Sequence, residues 1–338
     1  MKIFCLLLIS KVCSVLGVGL LTKDYNIGID IGGTNIKIAL VDTKGKIAFS
    51  ESASTRAEMG YEFTIKNIIN LIRDSITKSK VSIGQVGGIG VGCPGQIDSE
   101  NGIVRALPNI PGWVNVPLAK ILRDEFGLPV KIDNDVRVAT LGEYKFGAGK
   151  GYQNIVCITV GTGIGSGIII NGQLVRGASM SAGELGHVIV QEHNGEICGC
   201  GKTGCVEAVA SGPAIVKQAE LYLMSGKSAK FKELAAGSPI TPEIVAEAAI
   251  LGDDIALRIF EITGYWIGIA LSSVVNLLNP EVIIIGGGVA QAGDILLNPI
   301  KETIKKRALK ISSESLNVIP AQLGNSAGVV GASLLIQS

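Results

Sequence analysis

The sequence predicts an α/β protein in which two duplicated domains each carry a mixed β-sheet flanked by helices. The main observation is a pattern of strand, glycine turn and strand over residues 26–40, which returns over residues 154–170. A single repeat at an offset of about 129 residues indicates duplicated domains rather than a solenoid. The 338 residues are sufficient for two domains, and the 45 glycines indicate places where the backbone closely approaches a ligand or another segment.

Composition narrows the class of protein. Apolar residues make up 47% of the chain and aromatic residues only 4%, so the core must be aliphatic. The 30 basic residues balance 29 acidic ones, which argues against nucleic acid as the main partner because nucleic-acid-binding domains usually carry a basic excess. The seven cysteines show no disulfide framework. We therefore expect reduced thiols and a cytoplasmic protein.

Residues 1–24 form an apolar extension, and we expect the folded sequence to begin near Tyr25. Residues 3–21 are mostly apolar, but Lys11 interrupts them and no A-x-A cleavage site follows. A signal peptide would have a cleaner apolar run and a cleavage site, and a membrane span would have about 20 predominantly apolar residues. An extension produced by a mis-assigned start is the favoured interpretation, while export or membrane anchoring is the weaker alternative.

The elements of the first half follow from turn residues and periodicity. Two strands joined by a tight glycine turn occupy residues 26–40, and Gly45 marks a second turn before a strand at 47–50. Isoleucines at helical spacing predict a helix over residues 62–78. A buried strand at 86–92 ends at Pro94 and Gly95. A helix at 117–126 and a short strand at 130–132 complete this half.

The second half repeats the opening and then becomes largely helical. Strands at 154–159 and 168–170 flank the second glycine turn, and a strand at 281–285 precedes three glycines. Thr241 and Pro242 are typical of an N-cap and a first helical position. A second long helix is predicted by an apolar stripe of Ile255, Ile259, Ile262, Trp266 and Ile269. A closing helix is expected over residues 326–336.

The glycine turns are candidate phosphate-binding segments. Glycine lets backbone N–H groups approach phosphate oxygens, and Asp30 at a strand end could hold Mg²⁺ directly or through water. Two such turns related by duplication predict a nucleotide held between the domains, although a single glycine hairpin would be a weak signal. The candidate residues are Gly32, Gly33, Thr34, Asn35 and Lys37 in the first turn, Gly161, Thr162 and Gly163 in the second, and Gly286, Gly287 and Gly288 beside the nucleoside.

A Cys₃His set predicts a structural metal site. His187, Cys198, Cys200 and Cys205 lie within 19 residues in the pattern H-x₁₀-C-x-C-x₄-C. Three thiolates and one imidazole complete tetrahedral zinc coordination, leaving no open position for catalysis. The alternatives are three incidental cysteines in a flexible loop, or His193 in place of His187 as the fourth ligand.

These segments together resemble the ROK family of repressors and sugar kinases, particularly its bacterial glucokinase branch, within the superfamily of sugar kinases, Hsp70 and actin. The resemblance extends from about residue 26 to residue 332. It is carried by residues 28–37 (GIDIGGTNIK), 90–95 (GVGCPG), 109–113 (NIPGW), 133–135 (DND), 183–187 (GELGH), 198–207 (CGCGKTGCVE) and 286–288 (GGG). Together these motifs are highly specific, although no single one would be.

The resemblance implies ribonuclease-H-like, actin-like ATPase domains with a cleft between them, and an ATP-Mg-dependent hexose kinase active in glycolysis. It makes Asp135 the general base and implies a structural Zn²⁺ at the Cys₃His set. His187 would then contact both zinc and the sugar. From the residues alone, a turn is the favoured interpretation of the 133–135 segment, and Asn109, Glu184 and Glu207 have structural alternatives. The residues implied to bind the sugar are Gly95, Asn109, Asn134, Asp135, Glu184, His187 and Glu207.

The sequence leaves alternatives for the class of function, the sugar acceptor and the phosphoryl donor. One rival function is a sugar-responsive transcriptional repressor, against which we note that the roughly 24 residues before the first strand contain no helix-turn-helix pattern. Another is a catalytically inactive sugar-binding protein. Among kinases, glucose is the favoured acceptor, ahead of N-acetylmannosamine, fructose and allose, and polyphosphate is an alternative donor. We expect no membrane partner and a homo-oligomer, a dimer or a tetramer.

The resemblance also sets the expected domain boundaries. Residues 25–136 together with 324–338 would form the N-terminal domain. Residues 137–323 would form the C-terminal domain, with the zinc-binding loop at 187–207.

Overall fold

A computed structural model describes residues 23–107, 110–226 and 229–337 of the chain. The predictions for the N-terminal extension, apart from its last two residues, and for Asn109 lie outside the described residues.

The first sheet has five strands in the order β3-β2-β1-β4-β8. β1 pairs antiparallel with β2 and parallel with β4, β2 pairs antiparallel with β3, and β4 pairs parallel with β8. Its strands are β1 (Tyr25–Ile31), β2 (Asn35–Asp42), β3 (Ile47–Ser54), β4 (Val86–Cys93) and β8 (Val130–Asn134). The predicted strands of the first half are therefore confirmed.

The second sheet has five strands in the order β11-β10-β9-β12-β13. β9 pairs antiparallel with β10 and parallel with β12, β10 pairs antiparallel with β11, and β12 pairs parallel with β13. Its strands are β9 (Ile155–Val160), β10 (Ile164–Ile170), β11 (Gln173–Leu174), β12 (Val282–Gly286) and β13 (Asn317–Pro320). The order and directions of the strands are those of the first sheet, which confirms the predicted repeat.

The repeat extends to single residues at the strand ends. Asp30 on β1 lies opposite Gly92 on the parallel strand β4, and Thr159 on β9 lies opposite Gly286 on the parallel strand β12. Asp30 and Thr159 are separated by the offset of about 129 residues that the sequence pattern showed. They therefore occupy equivalent positions in the two sheets.

Helices pack against the two sheets and connect their strands. A small third sheet lies in the first half of the chain. The third sheet consists of β5 (Gln96–Asp98), β6 (Ile103–Ala106) and β7 (Val114–Val116). The described helices are α1 (Gly60–Ser79), α2 (Leu118–Phe126), α3 (Asp135–Phe146), α4 (Val206–Ala210), α5 (Gly212–Met224), α6 (Lys230–Ala235), α7 (Pro242–Ile250), α8 (Asp254–Leu278), α9 (Asp294–Arg307), α10 (Lys310–Glu314) and α11 (Ala327–Leu334).

Close backbone contacts at α11 account for part of the glycine content. A Cβ atom on Gly28 of β1 would lie 1.8 Å from the carbonyl oxygen of Val329 in α11. A Cβ atom on Gly331 of α11 would lie 1.6 Å from the carbonyl oxygen of Val138 in α3. Side chains at these positions would separate the elements, so glycine is required for α11 to lie against both β1 and α3.

The predicted stripe on α8 was shifted from the face that is buried. The most buried positions include Ile259, Phe260 and Ile267, whereas Ile262 and Trp266 are only half-buried. The shift arises because Gly264 and Gly268 also lie on the buried face, where α9 packs within contact distance of their backbone. Glycine carries no apolar signal, so the stripe of large residues marked the edge of the contact.

Among the described residues, α8 alone has the length and apolar composition of a membrane span. In its most apolar window, 56% of the residues are buried inside the protein, which is typical of a core helix.

Candidate active site

The first glycine turn joins β1 and β2, and each of these strands carries one charged side chain close to the turn. Asp30 and Lys37 are direct partners in the antiparallel register. Burial raises the pKa of Asp30, and the positive charge of Lys37 opposes that shift. The turn is closed by a 2.9 Å hydrogen bond from the Gly32 N–H to the Asn35 carbonyl. The tip residues Gly33, Thr34 and Asn35 are exposed.

Asp135 lies where β8 ends and α3 begins. Asn134 is the N-cap of α3, because its side-chain oxygen accepts hydrogen bonds from the N–H groups of Val136 (3.0 Å) and Arg137 (3.2 Å). Burial raises the pKa of Asp135 to about 6, and the negative charge of Asp30 adds to that shift. A carboxylate with this pKa is suited to general-base chemistry near neutral pH.

One cavity, of about 210 Å³, lies between the two sheets. Asp30, Lys37 and Asp135 contribute its charged wall, and Gly286 and Gly287 line another side. A neighbouring cavity continues past Gly288 and the segment 320–325. Gly286 and Gly287 line both cavities, whereas Asp30 and Lys37 line only the first of them. The turn-tip residues Gly32, Gly33, Thr34 and Asn35 lie outside the walls of the first cavity.

A second cavity, of about 290 Å³, lies on the other side of Asp135. The carboxylate of Glu207 lines this cavity. It accepts a 2.9 Å hydrogen bond from the N–H of Ile164, directly after the second glycine turn. Nine of the sequence-predicted residues line this cavity: Asn134, Asp135, Gly161, Thr162, Gly163, Glu184, His187, Glu207 and Gly287. Five of the seven predicted sugar-binding residues therefore line one cavity.

Gly95 lines a third cavity, which shares Glu184 with the second. Its φ of +84° lies in the left-handed region, and a Cβ atom there would lie 2.3 Å from the Ala106 carbonyl oxygen. Glycine is therefore required by the backbone at this position, whether or not a sugar approaches it.

The Cys₃His set is brought together in the fold. The ligand atoms of His187, Cys198, Cys200 and Cys205 all lie within 4.8 Å of one another. Nδ1 of His187 lies 3.7 Å from Cys198 Sγ, whereas Nε2 lies 4.0 Å from a carboxylate oxygen of Glu184. One ring nitrogen therefore faces the thiols and the other faces the second cavity. His193, the alternative ligand, is an exposed residue outside this cluster.

The chemistry of the cluster fits a metal ion. Burial raises the pKa of Cys198 to about 12 and also raises the pKa of Cys205, whereas a backbone hydrogen bond from Lys202 lowers the pKa of Cys200. A divalent ion would compensate the negative charge of the thiolates. Gly201 and Gly204 have positive φ values and supply the tight turns between the cysteines.

Sequence reasoning missed an ionic cluster directly behind Asp135. Asp133 is fully buried, and it lies 3.1 Å from Nε of Arg137 and accepts a 2.7 Å hydrogen bond from Nε of Arg176. Asp133 lies on β8, before the N-cap of α3, so helical spacing does not indicate its pair with Arg137. Arg176 is 43 residues away from Asp133, and no local pattern points to it.

A second missed residue is Glu143 of α3. Its side chain is buried and accepts hydrogen bonds from the N–H groups of Ala148 (2.8 Å), Gln322 (3.0 Å) and Leu323 (2.7 Å). Glu143 therefore attaches α3 to the segment that leads from β13 to α11, beside the first cavity.

These observations define a class of protein. Two equivalent α/β sheets face a cleft in which a carboxylate with a raised pKa separates a cavity lined by glycines and charges from a cavity lined by polar side chains. Such an arrangement is suited to group transfer between two bound molecules.

Comparison with known proteins identifies the family. The family model described as "ROK family" matches residues 26–338, and the chain therefore belongs to the ROK family. A glucokinase from Halalkalibacterium halodurans is 38% identical over 93% of this chain and 95% of its own length. A xylose repressor from Caldicellulosiruptor bescii is 33% identical over 92% of this chain and 78% of its own length.

Solved structures support the same assignment. A ROK family glucokinase from Streptomyces griseus, in complex with glucose and AMPPNP, superposes with a TM-score of 0.78 at 36% identity. The superposition covers 92% of this chain and 98% of that one. The two sheets of the present chain thus form the two-domain fold of the actin-like ATPases, as the sequence predicted.

Proposed function

We propose that this protein is an ATP-dependent hexokinase that acts as a glucokinase, converting ATP and D-glucose to ADP and D-glucose 6-phosphate. The observation that carries the proposal is the position of Asp135, which lines both the cavity with Asp30 and Lys37 and the cavity with Glu184, His187 and Glu207. A base that serves phosphoryl transfer between two bound substrates must lie where their cavities meet. The similarity to glucokinases supports glucose as the acceptor.

The proposed chemistry needs little from the protein beyond positioning and one proton transfer. Glu184, His187 and Glu207 would hold the sugar through its hydroxyl groups, and Asn134 and Gly95 would lie along its edge. The Asp135 carboxylate would accept the proton of the attacking hydroxyl as the oxygen bonds to the γ-phosphorus and the bond to ADP breaks. A pKa of about 6 keeps Asp135 mostly ionised at pH 7.

The donor would be held by the glycine segments. N–H groups of the first and second turns would contact the phosphates, Lys37 would contribute positive charge, and Gly286–Gly288 would contact the nucleoside. Mg²⁺ bound with ATP would neutralise the developing charge on the phosphoryl oxygens, and Asp30 is positioned to hold it. Polyphosphate in place of ATP is the alternative donor.

We propose that the Cys₃His cluster holds a structural Zn²⁺. The support is the convergence of four ligand atoms, which all lie within 4.8 Å of one another. In this role His187, Cys198, Cys200 and Cys205 use every coordination position, and the metal would fix the ring of His187 so that Nε2 faces the sugar.

The remaining expectations are also proposals. The strands of each sheet come from one part of the chain, which supports one domain of residues 25–136 with 324–338 and another of residues 137–323. The two domains would be joined at α3 and at the segment bound by Glu143. A cytoplasmic location, a homo-oligomeric state and the lack of a nucleic-acid partner stay predictions.

The test is release of ADP from ATP-Mg across a panel of hexoses, with Asp135→Asn beside the wild type. We expect turnover with glucose and a loss of roughly a hundredfold to ten-thousandfold in the variant. Asp124→Asn, which changes an exposed surface carboxylate on α2, is the matched control. Turnover with another hexose would retain the mechanism and change the acceptor.

The second candidate function is a sugar-responsive regulator, which the similarity to a xylose repressor favours. Sugar binding by calorimetry, without turnover of any hexose with either donor, would support this function over the kinase.

A further inference from the structure

The ionic cluster behind Asp135 joins the two halves of the protein. Asp133 is the penultimate residue of β8 in the first sheet, whereas Arg176 follows β11 in the second sheet. Arg137, on α3, lies 3.1 Å from Asp133 through Nε and donates a 2.8 Å hydrogen bond from Nη1 to the carbonyl of Met180. A buried carboxylate of one half is therefore bound by an arginine of the other half, with a second arginine between them.

The segment 176–184, which we call the tether loop, is held to this cluster at two points. Arg176 binds Asp133 at its start, and the Met180 carbonyl binds Arg137 at its middle. The loop is closed internally by a 2.9 Å hydrogen bond from the Ala182 N–H to the Arg176 carbonyl. Its end is fixed by a 2.7 Å bond from the Ser166 hydroxyl to the Gly183 carbonyl, so that the last residue, Glu184, reaches the second cavity.

The backbone of the tether loop indicates that these attachments are needed. Met180 has a φ of +59°, a left-handed conformation that is costly for a side chain of this size. Such a conformation persists only when surrounding contacts determine it, and the contact from Arg137 to the Met180 carbonyl is one of them. The Arg137 side chain is only 3% exposed, so this contact is shielded from water.

We propose that Arg137 and Arg176 are positioning residues that, through Asp133 and the tether loop, fix Glu184 relative to Asp135. This inference rests on the proposed function, since it assumes that Glu184 binds the acceptor and Asp135 accepts its proton. Asp133 is two residues before Asp135 on the same strand-helix junction, and Arg176 is eight residues before Glu184 on the same closed loop. The cluster thus sets the separation between the base and the sugar-binding carboxylate, although neither arginine itself touches the reacting atoms.

The test is a double-mutant cycle on sugar affinity with Arg176→Met and Glu184→Gln. Arg176 is the suitable site because its side chain is 32% exposed and Asp133 keeps Arg137 as a partner, whereas Arg137→Met would leave a larger buried defect. We expect Arg176→Met to raise the Kd for glucose, measured by calorimetry, and the KM for glucose about tenfold. The KM for ATP would stay within about twofold.

The cycle separates positioning from general destabilisation. If Arg176 acts through Glu184, then Arg176→Met in the Glu184→Gln background raises Kd by less than about threefold. An equal factor in both backgrounds, or parallel losses in kcat and both KM values, would overturn the proposal. Arg258→Met, which breaks an exposed pair with Glu261 on α8, controls for the loss of a surface arginine.

A readout that needs no ligand distinguishes this inference from the proposed function. The N–H groups of Ala182 and His187 donate hydrogen bonds to the carbonyls of Arg176 and Glu184 in the tether loop, and their hydrogen exchange should be faster in Arg176→Met than in the wild type. If the wild type binds glucose without turnover, the kinase proposal fails and the cycle still decides the role of Arg176. If no hexose binds, exchange alone decides, and unchanged exchange would refute the anchoring of the tether loop.

Discussion

Asp135→Asn should stabilise the protein at neutral pH while it removes the proposed activity. The pKa of Asp135 is raised from 3.8 to about 6 in the folded state, mainly by burial. Folding therefore disfavours the ionised form. At 1.36 kcal/mol for each pH unit, the ionised carboxylate costs about 3 kcal/mol at pH 7. The amide has no such cost, but it loses part of the 2.9 Å hydrogen bond from the Val136 N–H. A net gain of roughly 1–3 kcal/mol remains.

The raised pKa of Asp135 also determines how the stability difference between the wild type and the variant changes with pH. Below pH 3.8 Asp135 is protonated in both the folded and the unfolded state, so its ionisation costs nothing there. As pH rises from about 4 to about 6, the unfolded state releases its proton first, and the wild type loses stability relative to the asparagine variant. Above about pH 6 the full difference is present.

Chemical denaturation at pH 7.5 and at pH 4.5 measures this difference. The variant should unfold at a higher denaturant concentration at pH 7.5, with a smaller gap at pH 4.5. Asp124→Asn, at an exposed ion pair, should show little change at either pH. A variant that is equally or less stable at pH 7.5, or a gap that does not vary with pH, would refute the reasoning.

Three further predictions use other parts of the site. The acid limb of kcat/KM for the sugar should fall tenfold per pH unit below an apparent pKa of about 6, and a limb near pH 4 would contradict the raised pKa of Asp135. Glu143→Gln should lower the free energy of unfolding by about 1–3 kcal/mol because three N–H groups lose a charged acceptor, whereas the exposed Glu302→Gln should have little effect. Metal analysis should find about one zinc per chain, and Cys200→Ser or chelation should lower both zinc content and sugar affinity; full affinity without metal would be evidence against the double role of His187.

Local patterns were sufficient for much of the fold. The strands around both glycine turns, the helix at α1 and the cap at Thr241 follow from residues that are close in sequence, where hydrogen bonding and periodicity act directly. The Thr241 side chain does accept a hydrogen bond from the Ile244 N–H, at 3.4 Å. The offset between the two glycine turns predicted the repeated sheet because duplication preserves strand order.

The features that the sequence did not reveal depend on packing between distant segments. The small sheet of β5, β6 and β7 has strands of three or four residues, too short for a periodic signal. The buried face of α8 includes glycines, whose contribution is the close approach of another helix rather than apolar area.

In the candidate site too, some residues could be identified from local patterns and others only from long-range packing. The motif residues could be identified locally, but the cluster of Asp133 with Arg176 is formed only when the second half folds against the first. Asn134 illustrates a further limit, because its side-chain oxygen caps α3. An asparagine before a helix has the same sequence signature whether it stabilises the helix or also contacts a ligand.

Asp30 and Thr159 occupy equivalent strand-end positions, but their side chains differ in charge. The duplicated frame offers the same strand-end position twice, and both residues line the first cavity. A carboxylate occupies one position and a neutral hydroxyl occupies the other, so these two strand ends differ in charge although the scaffold is nearly two-fold. A second acid at residue 159 would surround a nucleotide's phosphates with opposing charge. The repeat thus builds the cleft from two like halves whose strand ends differ in charge, since Asp30 lies opposite Lys37 and Thr159 lies opposite Gly165.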